Sequence, residues 1–93
     1  MLRKAVKKES REDVTQAGDY CLLEREPDNR IWAILFICPH EGCGDKSHVP
    51  LAPVVERGWN WNESATTLSP SIQRKDPSRC EHHFSLINGV WIP

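Results

Sequence analysis

The residues best suited to chemistry lie in two short stretches, Cys38-Pro39-His40-Glu41-Gly42-Cys43-Gly44 and Cys80-Glu81-His82-His83. Thiolates and imidazoles are the donors zinc prefers, and a tetrahedral ion holds them at about 2.0–2.3 Å. Cys38, Cys43, Cys80 and His83 are the expected ligands of one Zn2+, in the pattern C-x4-C, 36 intervening residues, C-x2-H. Gly42 and Gly44 supply the backbone freedom that a turn wrapped around an ion needs, and Pro39 suits the same turn. His82, His40 or His48 could replace His83 as the fourth donor, because adjacent positions on a strand point opposite ways. The plainer alternative is that Cys38 ends a buried strand and the polar residues after it form a solvated loop.

Three thiolates and one imidazole saturate the ion, and a closed site of this kind does structural work. In zinc-finger peptides such metal binding is worth about 10–16 kcal/mol, enough to decide whether a small domain folds. The catalytic alternative is a zinc-dependent hydrolase with an open metal position and Glu41, Glu81 or a spare His as general base. The helical HExxH pattern is excluded, since Gly44 stands four residues after His40. The zinc-deaminase pattern is excluded by the lack of any CxxC. A Cys80 nucleophile paired with His82 or His83 lacks an identifiable third group. Cys21, among Tyr20, Leu22 and Leu23, reads as a buried inert thiol. The segment Thr66-Thr67-Leu68-Ser69-Pro70-Ser71-Ile72 reads as an extended edge whose hydroxyls satisfy the backbone. In the sequence it has no neighbouring base that would make a serine nucleophilic, although contact with a ligand stays open.

The elements that must position these groups are mostly strands. Tyr20–Leu23 and Ile31–Cys38 flank the turn-forming Pro27-Asp28-Asn29 and predict a hairpin. Short strands are expected at Ser47–Leu51, Gly58–Asn62 and Thr66–Ile72. Phe84–Ile87 and Val90–Ile92 around Asn88-Gly89 carry the strongest local hairpin signature, because both central residues tolerate positive φ. Residues 1–17 are charged almost without interruption and predict an arm that is a short helix or disordered. The expected architecture is a mostly β, small zinc-stabilised β-sheet domain over residues 18–93, with a C-terminal β-hairpin and that helical or disordered N-terminal arm. Trp32 and Trp91 are expected in its core. Trp59 and Trp61 could serve either the core or an exposed recognition surface.

The order C-P-x-x-x-C-G, a Trp-containing segment, T-L-S-P-S-I, C-x-x-H-F and I-x-N-G-x-W over roughly residues 32–92 resembles a family of small bacterial and phage-borne proteins classed as a domain of uncharacterised function. The resemblance implies a zinc site at Cys38, Cys43, Cys80 and His83. Some members are encoded beside bacterial ubiquitin-like conjugation genes, which implies an accessory role in such systems and assigns no catalytic residue.

Composition sets the outer limits. The 93 residues are too few for two cores. The eight-residue apolar run Ile31–Cys38 is far short of the roughly 20 residues a membrane-spanning helix needs. Charges in MLRKAVKKES occupy the place of a signal peptide's apolar stretch, which predicts a cytoplasmic protein. Twelve basic against 13 acidic residues give no field to attract nucleic acid. The sequence therefore predicts a non-catalytic zinc domain that binds another protein through Trp59, Trp61 and residues 64–72. A zinc-dependent hydrolase and a nucleic-acid-binding module combining the basic arm with the tryptophans are the alternatives.

Overall fold

Alternating apolar and polar positions, rich in β-branched and aromatic residues, make strands of most segments after Gly18. The computed structural model describes residues 2–93. Among them the strands are β1 Arg3–Lys4, β2 Val6–Lys7, β3 Asp19–Arg25, β4 Arg30–Ile37, β5 Lys46–Pro50, β6 Asn60–Asn62, β7 Thr67–Gln73, β8 His83–Ile87 and β9 Val90–Ile92. They form a five-stranded sheet in the order β1-β9-β8-β7-β6 and a four-stranded sheet in the order β2-β3-β4-β5. The mostly β expectation holds, and so do both hairpins. Asn29 (φ 55°) closes the β3–β4 turn, while Asn88 (φ 51°) and Gly89 (φ 77°) close the β8–β9 turn.

The period of two along each strand divides the side chains between faces. Tyr20, Ile34, Phe36, Val49 and Leu51 from one sheet meet Leu68, Ile72, Phe84, Leu86 and Trp91 from the other in a single core. Phe36, Phe84 and Trp91 form its centre, with ring centroids 5.5–5.7 Å apart. Trp91 is fully buried and its indole N–H donates to the Gly18 carbonyl at 2.8 Å, so its one polar atom is satisfied. The opposite face of the four-stranded sheet buries Cys21, Leu23, Ala33 and Ile37 under Val14, and Trp32 packs against this smaller cluster. Cys21 is thus the buried thiol expected.

The N-terminal segment differs from the expected helix or disorder. Arg3–Lys4 pairs antiparallel with β9, Val6–Lys7 pairs parallel with β3, and only Arg11–Asp13 makes a 3-10 turn. Its alternating charges suit an edge strand as well as a helix. The outer edges of β3 and β9, already paired on their other sides with β4 and β8, supply the partners.

Candidate metal centre and the adjoining serine-histidine pair

Two turns converge at one end of the core. The first leaves β4, and its Cys38 N–H donates to the Asp45 carbonyl (2.9 Å) while the Cys43 N–H donates to the His40 carbonyl (3.2 Å). Gly42 (φ 83°) gives this turn its left-handed step. The second joins β7 to β8. There the Asp76 carbonyl accepts the Arg79 and Cys80 N–H groups at 2.9 and 2.7 Å, and the Arg74 N–H donates to the His82 carbonyl at 2.8 Å. The Asp45 carboxylate, nearly buried, links the two turns by pairing with Arg74 at 3.2 Å and Arg79 at 2.8 Å.

These turns bring Cys38, Cys43, Cys80 and His82 together, with all four donor atoms within 4.8 Å of one another. Ligands around a tetrahedral zinc at the usual bond lengths stand about 3.8 Å apart for two sulfurs and about 3.6 Å for sulfur and nitrogen. Here Cys38 Sγ and Cys80 Sγ are 3.8 Å apart, and His82 Nδ1 lies 3.5 Å from each. The spacing fits a tetrahedral ion of that size. Burial, with the neighbouring thiols adding to it, pushes the Cys38 thiol up to about 12 and raises Cys80 as well. A cation among such thiols would favour their ionised form. His40 stacks flat on His82, with ring centroids 4.0 Å apart and planes 7° from parallel, and its Nδ1 lies 3.7 Å from Cys38 Sγ. Four donors at this spacing are the number that a closed tetrahedral site uses.

The histidine in this cluster is His82, not the expected His83. The reason is strand alternation. His82 precedes β8 and turns inward with Cys80, whereas His83 opens β8 on the solvent face, opposite the buried Phe84. His83 has another partner, since its Nε2 lies 2.8 Å from Ser71 Oγ.

A bulge in β7 creates this contact. Leu68 pairs with Leu86 and Ile72 with Phe84, so Ser69, Pro70 and Ser71 together oppose Ser85 alone. Pro70 has no N–H to give to a ladder, which explains why the irregularity falls here. Bulges re-aim side chains, and this one sets the Ser71 hydroxyl against the neighbouring strand's histidine. The Thr66–Ile72 segment, which lacks a base nearby in sequence, therefore acquires one in space. Pro70 inside a strand pattern, followed at a distance by paired histidines of opposite facing, is the signal that could have found it.

Trp59 and Trp61 are half-buried against the main core. Trp61 meets Tyr20 edge-on at 5.9 Å and donates to Glu63 at 2.8 Å, while the Trp59 indole approaches the Ser71 carbonyl at 3.4 Å.

The family model described as "Bacterial ubiquitination-like system serine protease (BubE)" matches residues 6–93. This chain belongs to that family. No curated protein and no solved structure gives a significant match. The BubE match covers both the Cys/His cluster and the Ser71–His83 pair, and it fits the resemblance to small bacterial proteins found with ubiquitin-like conjugation genes. Among the described residues no helix is long and apolar enough to cross a membrane.

Proposed function

We propose that this BubE-family domain is a serine hydrolase acting on a peptide bond within a bacterial ubiquitination-like system, with Ser71 as nucleophile and His83 as general base. The observation that carries the reading is the 2.8 Å contact between Ser71 Oγ and His83 Nε2 on an accessible face. A serine hydroxyl is a weak nucleophile at its own pKa and needs a base within about 2.6–3.2 Å, which this pair satisfies. In the first half-reaction Oγ bonds to the substrate carbonyl carbon while Nε2 takes the hydroxyl proton. The C–N bond then breaks, and the same proton goes to the departing amine. In the second half-reaction water gives its proton to Nε2 and its oxygen to the acyl carbon, and Ser71 regains the proton. Among the described residues no carboxylate is hydrogen-bonded to His83, so the pair works as a dyad.

Cys38, Cys43, Cys80 and His82 hold one structural Zn2+ in this reading. The ion ties the turn before β8 to the turn after β4, and its chemistry is confined to that role. Reduced thiols suit a cytoplasmic location. The partners are proteins, namely the substrate and other members of the system, rather than nucleic acid or membrane.

The test uses a fluorophosphonate probe, whose phosphorus is attacked by an activated serine with loss of fluoride. Intact-mass measurement should find one adduct, mapping to Ser71, and Ser71→Ala should abolish it. His83→Ala should slow it by roughly 10^4-fold. Labelling of the His83→Ala protein at the wild-type rate would remove His83 as base, and absence of any adduct on Ser71 would remove the nucleophile.

A further inference from the structure

Ser71 sits where β7 has lost regular support on both sides. Toward β8 the bulge interrupts the ladder between Leu68 and Ile72. The Arg74 N–H to His82 carbonyl bond makes Gln73 and His83 a non-hydrogen-bonded pair, so the main-chain groups of Ile72 and Arg74 face β8. Those of Ser71 and Gln73 face the other edge. There β6 pairs only as far as Asn60 with Ser69. The chain just before Asn60 is diverted, because the Trp59 N–H donates to the Pro50 carbonyl and the Trp59 carbonyl accepts from Ala52, both at 2.8 Å. What returns toward β7 is the Trp59 side chain, whose Nε1–H donates to the Ser71 carbonyl at 3.4 Å.

The diversion depends on Gly58. A Cβ added there would lie 2.7 Å from the Leu51 carbonyl carbon and 2.8 Å from the Ala52 nitrogen, against backbone that has no room to yield. The indole is then fixed by packing on the core, with Trp59 half-buried beside the main cluster.

Building on the hydrolase reading above, we propose that Trp59 is a positioning residue for the nucleophile. Its indole N–H replaces the strand partner that β6 does not supply and holds the Ser71 main chain so that Oγ faces His83. Trp59 touches no reacting atom in this account. Loss of the N–H leaves the bulge free to swing, which lowers the fraction of molecules with Ser71 and His83 in contact and leaves probe binding unaltered.

The experiment replaces Trp59 by Phe and, separately, by its benzothienyl isostere, which keeps the bicyclic shape and carries sulfur in place of N–H. Fluorophosphonate labelling is resolved into kinact and KI, melting temperature and metal content are measured on the same samples, and the Ser71 carbonyl 13C shift is recorded. The expected result is a kinact lower by about threefold to fivefold, the worth of a long hydrogen bond at the weak end of the usual range, with KI, metal content and the isostere's melting temperature unchanged and the Ser71 carbonyl shift displaced. A kinact within twofold of wild type for the isostere, or an unmoved carbonyl shift, overturns the proposal. A fall in kinact accompanied by loss of metal or of melting temperature in the isostere overturns it in favour of simple core packing. If wild-type Ser71 is unreactive, the hydrolase reading itself fails, and a displaced carbonyl shift then leaves the indole as a purely structural contact.

Discussion

His82 and His83 are adjacent in the chain and have opposite surroundings. His82 lies within a cluster of thiols where two turns meet, half-buried and stacked on His40. His83 stands on the open face of the five-stranded sheet, with a serine hydroxyl as its partner. The difference shows how a chain of 93 residues places two kinds of chemistry side by side. Strand alternation turns consecutive residues through about half a revolution, so an imidazole grouped with thiols and an imidazole paired with a hydroxyl project opposite ways from adjacent backbone. The Cys/His region is closed, with Cys38 and Cys80 buried, Cys43 and His82 half-buried, and the turns that carry them joined to both sheets. The serine region is open and depends on a bulge and on side-chain hydrogen bonds.

The largest expected effect breaks the closed region. Cys80→Ser removes a buried thiol, and with it the ion whose binding is worth about 10–16 kcal/mol in small zinc domains. Native mass spectrometry should find no metal, and circular dichroism should find the fold lost or severely weakened at 25 °C. Ser71→Ala, in contrast, should keep one metal per chain and melt close to wild type. A folded, metal-free Cys80→Ser protein would mean that the core alone sustains the domain.

The next comparison exchanges the two histidines. His82→Ala should weaken metal retention against a chelator and lower the melting temperature markedly. His83→Ala, at an exposed position, should change stability by about 0.5 kcal/mol or less while slowing Ser71 labelling by roughly 10^4-fold. Retention of metal by His82→Ala together with its loss from His83→Ala would reverse the assignment and restore the C-x2-H spacing expected from sequence alone.

That spacing illustrates what the sequence made legible. The cysteines, the two hairpins and the three short strands follow from local chemistry, namely donor type, the Pro27-Asp28-Asn29 and Asn88-Gly89 turns and period-two patterning. The choice between His82 and His83 depends on which residue begins β8, a boundary that local pattern leaves uncertain by a residue or two. The Ser71–His83 contact depends on the β7–β8 register and on the two extra residues of the bulge. Neither is local, so the serine segment appears baseless until the sheet is assembled. The N-terminal strands are hidden for the same reason. Val6 is exposed and Arg3 and Lys4 are charged, and their pairing is specified by the edges of β3 and β9 rather than by their own sequence.

A smaller effect should come from Asp45, whose carboxylate accepts from Arg74 and Arg79 and so ties the two cysteine-bearing turns together. Asp45→Asn keeps the shape but leaves one guanidinium facing an amide, at a cost of about 2 kcal/mol for a charge-assisted bond of this type. For a domain of this size that corresponds to a melting temperature lower by roughly 10 °C. One metal should still bind and should pass to a chelator faster than from wild type. An unchanged transfer rate would mean that each turn holds its own half of the site independently, which would sharpen the view of the closed region as self-sufficient.

The smallest effect is expected far from both regions, at the β3–β4 turn. Asp28 accepts from Arg25 at 2.7 Å and from the Arg30 N–H at 3.3 Å, and the Arg25 hydrogen bond holds its carboxyl below the usual aspartate value. A depressed folded-state pKa means that this pair contributes stability above the unfolded pKa, near 3.9 for aspartate, and loses it as pH falls through the lower folded value. Both side chains are exposed, so the contribution is screened and small. Asp28→Asn should therefore melt slightly below wild type at pH 7, and the two curves should converge on acidification, with metal content and Ser71 labelling at pH 7 equal in both. A difference in labelling would mean that the hairpin end of the four-stranded sheet communicates with the bulge in the other sheet, against the separation that distinguishes the serine region from the rest of the fold.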